Sequence, residues 1–246
     1  MPNPLGAGSG GSRFDGTGLR RRQHVSDRYH RDMIRLLLIR HGETELGDDH
    51  LYPEHGGLTE LGRRQAEATA RRLANEPIDQ ILSSNVRRAF ETAEPLARTK
   101  GVPVTRFPGF DEVRIGQLRS APIEAIVERI HRGRPRADFA EFDGENPASF
   151  SERVLHTLSI EVMDRFGGDS RHQSTLALFA HGGTLSVILD YAEGIRFQGD
   201  LYRQIPNGSI AEVGIERRTV RVLRQPNASH LEKVGITQMH GSASRP

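Results

Sequence analysis

From Met33 onward, short apolar runs alternate with longer amphipathic stretches. Residues 34–39 form a β-forming run broken only by Arg35, the pattern of a strand buried on both faces. Thr59 as an N-cap predicts a helix to about residue 74, with Leu61, Leu73, Ala66 and Ala70 on its apolar side. A second strand is predicted at 78–82, and a second helix at 86–100, kinked or divided at Pro95 and stopped by Gly101. A short third strand is expected at 102–107. Residues 113–148 are irregular, with one helical stretch near 123–131. Ser149 and Glu152 read as a capping box for a helix that reaches Phe166 and ends at Gly167 and Gly168. A further buried strand at 175–180, a helix at 183–191 and a hairpin of 210–215 with 220–223, joined at 216–219, complete the pattern. The alternation predicts an α/β fold: a three-layer sandwich in which helices cover both faces of a mostly parallel sheet. Ligand chemistry is then expected at the carboxyl ends of the strands.

Residues 1–32 lack apolar periodicity and are rich in Gly, Ser, Pro and Arg, so they are expected to be a disordered extension. Gly6, Gly8 and Gly11 spell a dinucleotide-loop pattern without the flanking strand and helix, and read as linker. No export signal or membrane-length apolar run is visible, which predicts a soluble, cytoplasmic protein. Six arginines in residues 1–32 give that segment a net charge of +3, while residues 33–246 carry −1. The pI of 9.3 therefore reflects the tail, together with a titration curve kept flat by the absence of cysteine and by 32 arginines among 34 basic residues. It does not argue for nucleic acid as a partner. The absence of cysteine also excludes disulfides, thiolate metal sites and a cysteine nucleophile.

The chemistry concentrates at two strand ends. LLLIRHGE at 36–43 and LALFAHGG at 176–183 each place a histidine and a glycine directly after a buried apolar strand. There the imidazole enters the crevice and the glycine lets backbone approach a ligand. Arg40, His41, Gly42 and Glu43 resemble the signature of the histidine phosphatase, or phosphoglycerate-mutase-like, superfamily. Further blocks agree in order: SSNVRRAFETAEPLA at 83–97, with Arg88 before Ala-x-x-Thr-Ala; FDEVRIG at 110–116, whose acidic proton donor falls on Glu112; and AHGG with His181. Weaker echoes are GLTELGRRQA at 57–66, GENPASFSERV at 144–154, PNGSI at 206–210 and NASHL at 227–231.

The resemblance implies a phosphoglycerate-mutase-like fold over 33–231, with 113–150 as a lid or substrate insertion and 232–246 as a flexible tail. It also implies phosphomonoester hydrolysis through a phosphohistidine. His41 would attack phosphorus, and Arg40, Arg88 and the Gly182 backbone would bind the phosphoryl oxygens. His181 would hold the group from the opposite side, most usefully as a cation. Glu112 would protonate the leaving oxygen and then activate water. Its neighbour Asp111 is expected to be merely solvated. Thr44, Arg114 and Arg119 are candidates to touch the rest of the substrate, a small phosphorylated metabolite. No cofactor is expected. His41, Asp48, Asp49, His50 and His55 could gather round a divalent ion, but nothing fixes their spacing, and they read as a solvated loop.

Leu46 and Gly47 stand where mutase-like relatives carry Trp-Asn, the chain has no tryptophan, and Gly116-Gln117-Leu118-Arg119 replaces a Gly-x-Trp-Glu-Gly pattern. These departures favour hydrolysis over a mutase reaction, because a mutase must shield its phosphohistidine from water. A non-catalytic phosphate- or nucleic-acid-binding module is the alternative of another class. A homodimer is left open.

Overall fold

A computed structural model describes residues 33–44, 56–121, 138–167, 174–199 and 203–237. The extension 1–32, the acidic and histidine-bearing loop 45–55, the helix expected at 123–131, Gly168 and residues 238–246 lie outside the described residues.

The predicted strands form one six-stranded sheet: β1 (Ile34–Arg40), β2 (Gln80–Ser83), β3 (Val104–Arg106), β4 (Thr175–Ala180), β5 (Ile210–Glu216) and β6 (Thr219–Asn227), in the order β3-β2-β4-β1-β5-β6. β1 pairs in parallel with β4, and β2 in parallel with β4 and β3, whereas β5 runs antiparallel to β1 and carries β6 as a hairpin. The hairpin turns at Arg217 and Arg218, both at positive φ (47° and 67°), as a two-residue primed turn requires. Among the described residues, four α-helices cover the sheet: α1 (Glu60–Leu73), α2 (Arg87–Lys100), α3 (Pro147–Leu158) and α4 (Gly182–Ala192).

The buried run of β1 is shared between two cores, as strict alternation along a strand demands. Leu36 and Leu38 join Phe150, Val154 and Leu158 of α3 and Leu185 and Ile188 of α4. Leu37 and Ile39 face Ala70 and Leu73 of α1 and Ala93 and Leu96 of α2. The three-layer expectation holds, and the parallel strands β1 and β4 end side by side with Arg40 in register with Ala180. Their two histidines therefore leave the sheet at one place.

Several boundaries differ from the sequence reading. Helix α2 runs unbroken through Pro95, which lies in its buried face beside Leu96. Proline there removes one amide donor, and the packed apolar face carries the helix across the gap. The third helix starts earlier than expected: Asn146, not Ser149, is the N-cap, Ser149 completes the capping box as its third residue, and Pro147 takes the first turn. Its last turns widen into a π-helical segment, Ser159–Asp164. Residues 232–237, expected to be part of a flexible tail, are tied to the domain. The Gln65 side chain donates to the Gly235 carbonyl and the Thr237 hydroxyl, and the Asn207 amide donates to the Thr237 carbonyl.

Candidate active site

His41 sits one residue beyond β1, in a loop fixed from three directions. The Gly42 amide donates to Thr92 Oγ1 on α2 at 3.0 Å, and the Glu43 amide donates to Gln65 Oε1 on α1 at 2.8 Å. From the segment before β5, Asn207 Nδ2 donates to the carbonyls of His41 and Gly42, and the Gly208 amide lies 3.1 Å from the Arg40 carbonyl and 3.2 Å from that of His41. The loop also lies hard against the first turn of α1. A Cβ on Gly42 would meet the Gly62 carbonyl oxygen at 2.6 Å, and one on Gly62 would meet the Glu43 carbonyl oxygen at 2.0 Å. Two glycines are thus required by a close backbone approach rather than by an unusual φ.

The His41 ring is 7% exposed, with Nδ1 2.7 Å from the Gly42 carbonyl oxygen. A carbonyl only accepts, so Nδ1 carries the proton and Nε2 holds the lone pair. Arg88 Nε donates to that Nε2 at 3.3 Å. Burial, then the charges of Arg88 and Arg40, hold the imidazole pKa well below its ordinary value. His41 is therefore neutral, with its nucleophilic nitrogen among buried guanidinium groups. Arg40 is itself buried and donates to the Ile205 carbonyl at 2.5 Å. Its guanidinium lies within 3.8 Å of the Cβ position of Gly182.

His181 follows β4 and stands at the N-cap position of α4, whose positive dipole end favours an anion. Its ring centroid lies 5.2 Å from that of His41, and its Nε2 lies 2.8 Å from Ser84 Oγ. Its pKa is also held well below the ordinary value, first by complete burial and then by Arg88, His41 and Arg40. The surroundings of His181 argue against the expectation that it acts as a cation, because desolvation and the Arg88 and Arg40 guanidinium groups favour the neutral imidazole.

Glu112 enters from the loop after β3. One carboxylate oxygen accepts its neighbour's amide at Val113, and the other accepts the Gly183 amide at 2.9 Å, which seats it at the N-terminus of α4. The backbone of this loop is clasped by Arg153 of α3, which donates to the carbonyls of Gly109, Asp111 and Glu112 and closes on both oxygens of Glu145. Asp111 is not simply solvated, contrary to expectation. Its carboxylate accepts the Asn85 amide at 2.7 Å, and desolvation pushes its pKa up against the pull of that bond and of Arg153.

Arg40, His41, Arg88, Glu112, His181 and Gly182 are thus brought to one end of the sheet. Thr44 forms an isolated bridge with Leu58 at the loop's edge. Arg114 is exposed, and its backbone pairs with Glu145. Arg119 is exposed in the turn Gly116–Ser120. Neither arginine makes a hydrogen bond to the central residues among the described contacts, so their candidacy as substrate contacts stays an expectation. Sequence reasoning missed Ser84, Thr92, Gln65, Asn207 and Arg153 as supports. Each lies inside or beside a quoted block, but only the hydrogen bonds distinguish them from other polar residues there. Among the described residues no cluster of three or more His, Asp and Glu is placed to hold a metal ion. Asp48, Asp49, His50 and His55 are outside that set.

The histidine phosphatase superfamily (branch 1) family model matches residues 36–228. The chain belongs to this superfamily. Among curated relatives, the "Probable phosphoglycerate mutase GpmB" of Yersinia pestis is 26% identical over 188 residues, covering 74% of this chain and 85% of the relative. Among solved structures, Bacillus stearothermophilus YhfR superposes with a TM-score of 0.69 at 22% identity, covering 81% of this chain and 100% of that one. A mycobacterial glucosyl-3-phosphoglycerate phosphatase gives 0.60 at 23% identity, covering 80% and 100%. Members of the superfamily are phosphatases and mutases, and at these identities the structural likenesses establish the fold. No described helix of this histidine phosphatase superfamily member is long and apolar enough to cross a membrane.

Proposed function

We propose that the protein is a metal-independent phosphomonoesterase that hydrolyses a small phosphorylated metabolite through a phosphohistidine on His41. The observation that carries this reading is the 2.7 Å approach of His41 Nδ1 to the Gly42 carbonyl oxygen, which can only accept and so assigns the proton to Nδ1. It leaves Nε2 as a buried lone pair beside Arg88. In the first step Nε2 bonds to phosphorus as the ester P–O bond breaks, and Glu112 gives a proton to the departing oxygen. Arg40, Arg88 and the Gly182 amide at the start of α4 bear the charge of the equatorial oxygens. In the second step the Glu112 carboxylate takes a proton from water, the hydroxide oxygen bonds to phosphorus, and the P–N bond breaks to restore neutral His41. Leu46 and Gly47 in place of Trp-Asn support hydrolysis, whereas the Yersinia relative, a probable phosphoglycerate mutase, points to isomerisation.

Hydrolysis of p-nitrophenyl phosphate in excess EDTA, by wild type and His41→Ala, tests the reading. Wild type is expected to turn over and to trap an acid-labile phosphoprotein, and the variant to do neither. Equal rates for the two proteins, or loss of wild-type activity in EDTA, would overturn it. If 2-phosphoglycerate forms from 3-phosphoglycerate and its bisphosphate primer faster than free phosphate, the protein is a mutase.

A further inference from the structure

Ser84 was not among the residues singled out from sequence, yet it lies against the second histidine. It follows β2 and is completely buried, and its hydroxyl makes two described contacts: Oγ accepts the Val86 amide at 3.2 Å and lies 2.8 Å from His181 Nε2. His181 is completely buried as well, and its Nδ1 has no hydrogen-bond partner among the described residues.

Two proton arrangements are open to this pair. If Nε2 carried the proton, it would donate to Ser84 Oγ. The serine oxygen would then accept twice while its own buried O–H found no acceptor, and Nδ1 would be a buried, unused lone pair. If Nδ1 carries the proton, the serine O–H donates to the Nε2 lone pair and its oxygen accepts from Val86. Both serine functions are then satisfied, and one group alone remains open, the His181 Nδ1–H. Leaving a buried donor or acceptor unmade costs roughly 1–3 kcal/mol, so the second arrangement, with one open group instead of two, is favoured.

We infer that Ser84 is a positioning residue that fixes His181 as its Nδ1–H tautomer, so that a neutral imidazole presents a hydrogen-bond donor to the phosphoryl group. The inference rests on the phosphoryl-transfer reading above and adds to it a division of labour between the histidines. The Gly42 carbonyl turns His41 into an acceptor and nucleophile at Nε2, and the Ser84 hydroxyl turns His181 into a donor at Nδ1. The two imidazoles can then face one anion without carrying charge, which burial and the guanidinium groups disfavour.

Long-range proton–nitrogen correlation spectra of the full chain, labelled with 15N at histidine, distinguish the tautomers through the ring couplings. The His181 signals are identified by their loss in His181→Gln. Wild type without ligand is expected to show His181 protonated at Nδ1. Ser84→Ala is expected to move His181 toward Nε2–H and to lower kcat for p-nitrophenyl phosphate about a hundredfold to a thousandfold, the scale of losing one aimed donor. Ser84→Thr, which keeps the hydroxyl, is expected to restore the tautomer and most of the rate. A wild-type His181 protonated at Nε2 overturns the inference without any variant having to fold. So does a folded Ser84→Ala protein with unchanged spectrum and kcat. Undiminished turnover by His41→Ala would instead sink the phosphohistidine reading and leave the spectral result standing.

Discussion

Gly62→Ala is the sharpest test of how the fold holds the nucleophile. Position 62 lies in the first turn of α1, where alanine in place of glycine ordinarily adds about 1 kcal/mol of helix stability. Here the new methyl would sit 2.0 Å from the Glu43 carbonyl oxygen, and ordinary contact begins at 3.4 Å, so the backbones must part by about 1.4 Å. Neither side can yield freely. The Glu43 amide is held by Gln65, its carbonyl by the Thr59 amide, and its carboxylate by Thr59 Oγ1, while the Gly62 amide is bound to Thr59 Oγ1. Overpacking costs typically 1–3 kcal/mol, and because atoms on both sides are held the upper end of about 3 kcal/mol applies, so after the helical gain of about 1 kcal/mol a net loss of about 2 kcal/mol is expected. That corresponds to a Tm roughly 4–8 °C lower. The same displacement tilts residues 41–43, and a misplacement of about 1 Å in a reacting group costs on the order of a hundredfold in rate. Circular dichroism melts and kcat/KM for p-nitrophenyl phosphate check both effects. A Tm raised by a few degrees with kcat/KM within twofold of wild type would show that propensity wins and that the close approach does not position His41. Gly182→Ala supplies the stability control, since its methyl would meet no atom nearer than 3.7 Å and should leave Tm within a few degrees.

Arg153→Met should strand Glu145 and release three carbonyls of the loop carrying Glu112, lowering stability by about 3 kcal/mol and kcat more than KM. Urea titration with steady-state kinetics checks it, and unchanged kcat would refute the positioning of Glu112 through this clasp. Arg35→Met removes the shared partner of Glu212 and Glu76 at the start of β1, far from the histidines. It should cost about 3 kcal/mol in urea unfolding while leaving kcat/KM of the folded protein within about twofold. The burial of His41 and His181 gives a pH effect of definite sign. Their folded pKa values are depressed, so below about 6.5 the unfolded chain takes up protons that the native site refuses. Unfolding free energy should therefore fall as pH drops from about 6.5 toward the folded values, by up to about 1.4 kcal/mol per unit for each histidine. The His41→Gln, His181→Gln double variant should show a shallower slope, and parallel slopes would refute the neutral assignment.

The parts of this molecule that were legible in sequence are those in which one residue's environment is set by its immediate neighbours. Parallel strands buried on both faces leave unbroken apolar runs, so β1 and β4 and the histidines at their ends could be found from hydrophobicity alone. Capping was less certain, because Asn146 with Ser149 and Ser149 with Glu152 both fit a capping pattern. Pro147 fits the earlier start, because proline is favoured at the first helical position, which an Asn146 cap gives it.

What sequence could not supply is the protonation pattern of the site, because each proton is placed by a partner from another element. His41 owes its Nδ1 proton to a carbonyl, which every residue possesses and no sequence marks. The carbonyl can accept there because Asn207, 166 residues away, fixes the same loop. Ser84 is one of two adjacent serines, and nothing local says that its hydroxyl, unlike that of Ser83, reaches His181, 97 residues later. The type of the second histidine suggested a cation. Its burial beside Arg88 and Arg40 makes charge unfavourable, which leaves an N–H as the means by which a neutral His181 can meet a phosphoryl oxygen.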